Sequence, residues 1–232
     1  MKRTISFFAS GLTVFVLASC ADIKSDPATL PQDLVNRAVA TVERFKTTPE
    51  LSAFNELVGE ARAVVVLPTV LKAGFIGAGE AGHGLLLVRT AGNSPGNPWS
   101  QPAFYTMGGA SFGLQAGIQE GEIVLIIRSE KALQAVLSHQ LKLGGDVGIT
   151  VGMLGAGAEA STTTNLGADI IAVSYSVLGV FGGISLEGSV LARRNDFNEA
   201  YYGAGATPRS IVIEGRFANP GTDKLRSALA GI

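Results

Sequence analysis

The stretch of sequence that decides the fold runs from residue 63 to residue 88 and reads AVVVLPTVLKAGFIGAGEAGHGLLLV. It opens with a continuous apolar, largely β-branched run at residues 63–67, which is typical of a buried strand, and Pro68 predicts the end of that strand. A glycine-rich extended segment follows at residues 75–82, and residues 85–88 predict another strand. Glycine at this density inside strands indicates close backbone approach, tight bending or bulges.

Further strands are predicted on the C-terminal side of this stretch. Residues 103–119 alternate small and large side chains, and residues 123–127 form an apolar run. Three more strands are expected at residues 146–151, 168–176 and 179–193. Because most of these segments are short, glycine-rich and joined by turn signals, we predict a strongly curved antiparallel sheet, either barrel-like or a sandwich.

Helical patterns lie before, within and after the sheet region. Residues 32–46 carry a helical apolar stripe, and Thr48 followed by Pro49 predicts the start of a second N-terminal helix. Ser129 is expected to cap a middle helix whose apolar face reaches Leu141, and Asn219 to start a C-terminal helix. The predicted class is therefore α+β, with two N-terminal helices, one middle helix and one C-terminal helix around a single sheet.

Composition narrows the range of functions. The chain has 232 residues, a formal net charge of −1, 47% hydrophobic residues and only 16% charged residues. A chain this apolar can bury a core, so it does not belong to the disordered class. Because there is no broad basic field, no nucleic-acid partner is expected.

The first twenty residues are typical of a targeting segment. Lys2 and Arg3 precede an apolar run at residues 5–17, which is of secretory length and too short to span a bilayer comfortably. The run closes with LASC at residues 17–20, which resembles the lipobox of bacterial lipoproteins and contains the chain's single cysteine, Cys20. An ordinary signal peptide with a chance cysteine is the alternative.

The lipobox resemblance implies cleavage before Cys20, a diacylglycerol thioether on its sulfur and anchoring to a membrane. We expect residues 1–19 to be the leader, residues 20–31 a tether, and residues 32–232 one domain with its core at about 61–215. The expected location is the bacterial cell envelope, facing the periplasm. Asp22 stands one place beyond the position that favours inner-membrane retention, so the outer membrane is preferred.

Two glycine motifs resemble catalytic or cofactor signatures. GAGEAG at residues 77–82 matches G-x-G-x-x-G, but a strand pattern follows it where a dinucleotide site needs a helix. GASFG at residues 109–113 matches G-x-S-x-G, which would make Ser111 the nucleophile of a serine hydrolase. Only His139 follows Ser111, and its place on a predicted helix does not favour a triad, so we interpret Ser111 as a structural residue and expect no cofactor.

The remaining titratable residues do not form a recognisable metal or catalytic pattern. His83 and His139 are the only histidines, and neither stands at metal-ligand spacing, so no metal is expected. The acidic residues with apolar, glycine-rich neighbours are Glu80, Asp146, Glu159, Asp169 and Glu187. Each could be a buried hydrogen-bond acceptor or part of a ligand site.

Several segments taken together resemble the SYLF domain, a lipid-binding module. They read RAVVVLPTVLKAGF at residues 62–75, WSQPAFY at 99–105, KLGGD at 142–146, SYS at 174–176, GVFGG at 179–183, SLEG at 185–188 and YYG at 201–203. The resemblance runs from about residue 61 to residue 215. Eukaryotic members of that family carry SH3 or FYVE domains and associate with phosphoinositides and cortical actin, and what the resemblance implies here is non-enzymatic binding of anionic phospholipid.

The resemblance also suggests which side chains meet lipid phosphate. The family's basic positions match Arg62, Lys72 and Lys142, and Arg128 and Lys131 flank the middle helix. We expect Arg62, Lys72 and Lys142 to converge on one face, with Lys72 as the foremost candidate because its neighbours are apolar. The alternatives are solvated surface charges without a ligand, a hydrolase acting through Ser111, and an envelope adaptor that binds protein partners.

Overall fold

The computed structural model describes residues 29–74, 77–90, 98–112, 117–138, 140–152, 168–175, 186 and 188–232. Cys20, with the whole predicted leader and most of the tether, lies outside the described residues, as do His139, Glu159 and Glu187. Within the described part of the chain, no helix is both long enough and apolar enough to cross a bilayer.

The two predicted N-terminal helices are confirmed, but the second begins at Phe54 rather than at Pro49. Helix α1 spans Leu30–Thr47 and buries Val35, Ala38, Val42 and Phe45 along one stripe. A 3₁₀ turn at Pro49–Leu51 leads into helix α2 at Phe54–Gly59. The Phe45 and Phe54 rings meet edge to face at 5.3 Å, which fixes α2 against α1.

Among the described residues, eight strands form one sheet in the order β5-β8-β3-β2-β1-β4-β7-β6. The strands are β1 (Ala63–Gly74), β2 (Gly77–Val88), β3 (Ala103–Phe112), β4 (Gly117–Ile127), β5 (Gln140–Lys142), β6 (Ile149–Gly152), β7 (Ile170–Tyr175) and β8 (Val190–Arg193). All pairs are antiparallel except β6 with β7. Helix α3, at Glu130–Leu137, connects β4 to β5.

The sheet curls until its two edge strands approach each other. A tight turn follows β5, and Leu143 bridges to Val147 just before β6. Leu141 of β5 and Ile149 of β6 therefore pack into the same cluster as Leu125 and Leu86 of the central strands. This inner cluster fills the curl, and α3 packs into it through Leu133 and Val136 and their neighbours. The predicted strongly curved sheet is confirmed, in the form of a half-barrel.

The outer face of the sheet carries a second cluster, built under the other helices. Val66, Leu87 and Phe104 face outward and pack against α1, α2 and two C-terminal helices. These are α4 at Asn195–Tyr202 and α6 at Asp223–Ala230, with a short α5 at Pro208–Val212 on the inner side. Within residues 63–67, successive side chains point alternately into the inner and the outer cluster. Both faces of this segment are therefore buried, which explains its continuous apolar run.

The prediction that Pro68 ends the first strand is wrong. β1 continues to Gly74, and a bulge accommodates Pro68, since the registers with both neighbouring strands shift between Val66 and Val70. Gly82 lies against this bulge, where a Cβ atom would stand 2.5 Å from the Thr69 carbonyl oxygen. Proline is tolerated in this central strand because the extra residue falls outside the regular hydrogen-bond ladder.

Three other local expectations need correction. The middle helix ends at Leu137, and Leu141 packs from strand β5, because alternation in a short strand can place an apolar residue on the same side that a longer helix would use. Helices α4 and α5 were not predicted, although Thr207 and Pro208 form a standard helix start. β6 pairs with β7 in parallel, which departs from the wholly antiparallel sheet that the sequence predicts.

Candidate functional site

A polar cluster lies inside the curl at the end where β1 turns toward β2. Gly109, Glu80, Lys72 and Gln119 are opposite one another across β3, β2, β1 and β4. Residues two apart on a strand share a face, so Lys72 points inward with Val70, and Glu80 points inward with Leu86. Lys72 is only 9% exposed and Glu80 only 6%.

Glu80 has a defined partner in this cluster. The Ser189 hydroxyl donates a short hydrogen bond to Glu80 Oε1, and Ser189 is itself buried. Gly109 makes room for that contact, since a Cβ atom there would stand 2.9 Å from Glu80 Oε1 and closer still to the Ser189 hydroxyl. The sequence analysis allowed Glu80 to be either a buried hydrogen-bond acceptor or part of a ligand site, and the structure shows it as a buried hydrogen-bond acceptor.

Lys72 differs from Glu80 in having neither a hydrogen bond nor an ion pair with any residue that the structure describes. A buried lysine side chain without a partner is uncommon, because charged groups are normally paired where water is excluded. An anionic group reaching this end of the curl would supply the partner that Lys72 lacks among the described residues. The arrangement is suited to anion binding.

Three of the other predicted basic residues gather at the opposite end of the sheet. The Arg62 guanidinium lies 3.0 Å from Glu130, and the Lys131 ammonium lies 4.0 Å from Asp169. Arg128 follows β4, and its backbone N–H donates to the Asp169 carbonyl at 2.9 Å. The cations are interleaved with carboxylates, so this end carries a mixed surface rather than a basic patch.

Asp169 organises that end of the molecule. It accepts hydrogen bonds from the Ser129 hydroxyl at 2.5 Å and from the Gly148 backbone N–H at 3.3 Å. The Ser129 hydrogen bond is the main reason that the pKa of Asp169 lies below its usual value, and Lys131 adds to the shift. Ser129 also caps α3 by accepting from the Ala132 N–H at 3.1 Å, which confirms the predicted start of the middle helix.

The expected convergence of Arg62, Lys72 and Lys142 does not occur. Ten residues of extended chain separate Arg62 from Lys72, roughly 30 Å at ~3.3 Å per residue. Lys142 lies on edge strand β5 and alternates with the inward-facing Leu141, so its exposed side chain is on the outer face. The strand geometry thus leaves Lys72 as the one predicted basic residue inside the curl.

The two glycine motifs have no catalytic context among the described residues. GAGEAG lies entirely within β2. Ser111 lies in β3 opposite Ala78, and the next described element is strand β4 rather than the helix that a nucleophile elbow requires. No cluster of potential metal ligands occurs in the described part of the chain.

Comparison with known proteins identifies the family. The model of one family, described as "Ysc84: Las17-binding protein actin regulator", matches residues 108–232, which is more than half of the chain. The chain belongs to the Ysc84 family. The resemblance to the SYLF domain, read from the sequence segments, is thereby confirmed.

Relatives of this Ysc84-family domain are longer proteins. "Protein YSC84" of Saccharomyces cerevisiae is 34% identical over 154 residues, covering 66% of this chain and 32% of that protein. "LAS seventeen-binding protein 3" of the same species is 31% identical over 167 residues, covering 71% and 35%. "SH3 domain-containing YSC84-like protein 1" of Xenopus laevis is 34% identical over 165 residues, covering 71% and 48%. The chain therefore spans a third to a half of their lengths.

Sequence reasoning ranked Lys72 first but missed what surrounds it. The signals were present: Glu80 is the one acid within the glycine-rich motif of β2, and Gly109 and Ser189 are small residues flanking apolar strands. Their proximity depends on pairing between β2, β3 and β8, which residue spacing alone does not reveal.

Proposed function

We propose that this domain binds an anionic phospholipid, with the headgroup phosphate held by Lys72 at the end of the curled sheet where β1 turns toward β2. The observation that carries the proposal is the burial of Lys72 without a partner among the described residues. Lysine binds phosphate as a compact point charge, so the Lys72 ammonium favours an anionic headgroup over a zwitterionic one. Of the other basic candidates, Arg62 and Lys131 already pair with carboxylates.

The membrane attachment belongs to the same proposal. The apolar run at residues 5–17 and the lipobox ending in Cys20 support a lipoprotein of the bacterial envelope, anchored through acyl chains and facing the periplasm, with the outer membrane as the preferred location. Mass spectrometry of the mature N-terminus tests it: a diacylglycerol-modified Cys20 is expected, and none in a Cys20→Ser variant. An unmodified mature protein beginning at another residue would remove the anchor from the proposal.

The headgroup site is tested with the full chain in detergent micelles doped with phosphatidylglycerol or phosphatidylcholine. Phosphatidylglycerol should raise the thermal unfolding midpoint of the wild type, because a ligand that binds only the folded state stabilises it, by about 2.7 kcal/mol at a hundredfold excess over Kd. Lys72→Met should abolish this rise. Lys142→Met is the matched control, since it removes an exposed lysine from the outer face and should keep the rise.

An unchanged phosphatidylglycerol response in Lys72→Met would rule out the proposed headgroup site. A second candidate function, binding of a protein partner, is favoured by the family description and by the names of the yeast relatives. That candidate predicts no selective response to phosphatidylglycerol in any variant, so the same experiment separates the two functions.

A further inference from the structure

The outer face of the four central strands changes in composition, row by row, toward the end where β1 turns to β2, which we call the hairpin end. Each row runs across β3, β2, β1 and β4, and its members share one level of the sheet. In order, the rows are Phe104, Leu85, Val66 and Val124; Thr106, His83 and Thr69, with Glu122 beside the bulge; Gly108, Ala81, Leu71 and Glu120; and Ala110, Gly79, Ala73 and Ile118. The first row is buried under helices, the second is mainly polar, and the last two are composed almost wholly of small or aliphatic residues.

The helices that the structure describes reach the second row and do not extend past it. Glu122 accepts from the Thr41 hydroxyl at 2.8 Å and pairs with Arg44 of α1 at 2.6 Å. His83 lies 5.4 Å from the Phe197 ring of α4, and next to Arg194. These contacts mark the boundary of the helical layer on the outer face.

The two rows beyond this boundary form a surface that we name the outer tip. It comprises Gly108, Ala81, Leu71, Glu120, Ala110, Gly79, Ala73 and Ile118. Leu71 is 49% exposed and Ile118 is 78% exposed, and Glu120 is the one charged residue among the eight. On the inner face of the same strands lie Lys72 and Glu80. At this end the sheet has polar side chains on its inner face and apolar side chains on its outer face. A sheet whose outer face contacts water normally has the opposite arrangement.

We propose that the outer tip inserts into the apolar boundary layer of a lipid bilayer and so orients the domain on the membrane. The inference rests on the proposed function, because both place the hairpin end of the sheet at lipid. With the outer tip immersed, Lys72 on the opposite face of the same strand lies near the level of the headgroups.

Area and composition favour a membrane over a protein partner. Four strands at ~4.8 Å spacing and two rows about 7 Å apart give a footprint on the order of 200 Å². A stable protein interface needs about 800 Å² from each partner, and its energetic anchors are typically Trp, Tyr or Arg, none of which occurs in the outer tip. A bilayer imposes no minimum area and requires no pocket or anchor.

The backbone of the two central strands of the outer tip is compatible with an apolar environment. β1 pairs with β2 on one side and with β4 on the other through Gly74, and β2 pairs with both β1 and β3. The N–H and C=O groups of these two strands are therefore used within the sheet, so unsatisfied backbone polarity does not oppose their contact with lipid. On the flanking strands, the described pairing of β3 with β8 ends at Gly108 and that of β4 with β7 ends at Glu122.

Insertion is tested with tryptophan variants of the full chain, reconstituted in zwitterionic vesicles whose acyl chains carry bromine. Bromine quenches indole fluorescence on contact, so Ile118→Trp should lose about half or more of its added fluorescence relative to unbrominated vesicles. Glu60→Trp is the matched control, because Glu60 is exposed at the opposite end of the sheet. The chain's own Trp99 is fully buried near that end and supplies a constant background.

The outcomes separate this inference from the proposed function. Quenching at position 118 but not at position 60 supports insertion, and it does so even if Lys72→Met leaves the phosphatidylglycerol response unchanged, in which case the headgroup site alone fails. Equal or absent quenching at the two positions overturns insertion, while a phosphatidylglycerol response that depends on Lys72 would still support the headgroup site. If the protein sediments as a dimer that Ile118→Ser dissociates, a second copy covers the outer tip and the inference is wrong.

Discussion

Along β1, residues 63–67 lie between two packed layers of side chains, whereas residues 70–74 extend past the helices with Lys72 turned inward and Leu71 turned outward. The first half is specified by burial, since every side chain in it is inaccessible to water. The second half places a charge inside and an aliphatic side chain outside. Burial would not select that arrangement, whereas the proposed contact with lipid accounts for it.

The same substitution in the two halves of β1 should have very different costs. Leu67→Ala should lower the free energy of unfolding by about 2–5 kcal/mol, because it leaves a cavity in the inner cluster. Leu71→Ala should change it by no more than about 0.5 kcal/mol, because Leu71 is half exposed. Denaturant titration followed by Trp99 fluorescence measures both, and similar losses for the two variants would contradict the contrast.

Glycine substitutions sharpen the comparison within the hairpin end itself. Gly109→Ala should destabilise the fold by about 1–3 kcal/mol, because the new methyl group overlaps Ser189 and Glu80. Gly79→Ala is the control on the paired strand, where the nearest atom to a new Cβ is 4.0 Å away, and it should be nearly neutral. Ser189→Gly should relieve part of the Gly109→Ala penalty in the double variant, since the clash is shared. Additive effects would mean that the methyl group disturbs something else.

The smallest expected effect is the contribution of His83, which lies level with the bulge between the two halves of β1, to the pH dependence of stability. Burial, and secondarily Arg194, lowers the pKa of His83 below 6.5. The unfolded chain therefore takes up this proton more readily than the folded protein, so stability from this group is complete above pH 6.5 and is lost as the pH falls below that value. His83→Gln should show a shallower decline of the unfolding midpoint between pH 7 and pH 5 than the wild type. An identical decline would assign the pH dependence to other groups.

Much of the fold could be predicted because burial leaves periodic marks in the sequence. The α1 stripe, the Ser129 cap and the apolar run at residues 63–67 each reflect one local rule. The strand beyond Pro68 could not be predicted in the same way, because proline normally ends a strand and only pairing on both sides shows that the chain continues. Leu141 was assigned to a helix because a three-residue strand is too short to display its own period.

The candidate site was predictable in part. Lys72 stood out as a charge in an apolar run, and the structure places it among buried residues. The predicted convergence of Lys72 with Arg62 and Lys142 was wrong, because a match to a family's basic positions gives neither their distance along a strand nor the face of the sheet that each occupies. The outer tip was not anticipated at all, since alanine and glycine give no periodic signal by which a face could be assigned.

The bulge at Pro68 determines which way Lys72 faces. In an uninterrupted strand that began with the same alternation, Leu67 and Lys72 would lie on opposite faces, because they are five positions apart. The one extra residue shifts the phase by half a period, so the ammonium enters the curl and the Leu71 and Ala73 side chains leave it. Deleting a single residue between Leu67 and Val70 would turn the hairpin end inside out without changing its composition. The proposed function of this end thus depends on the number of residues in β1 as much as on their identities.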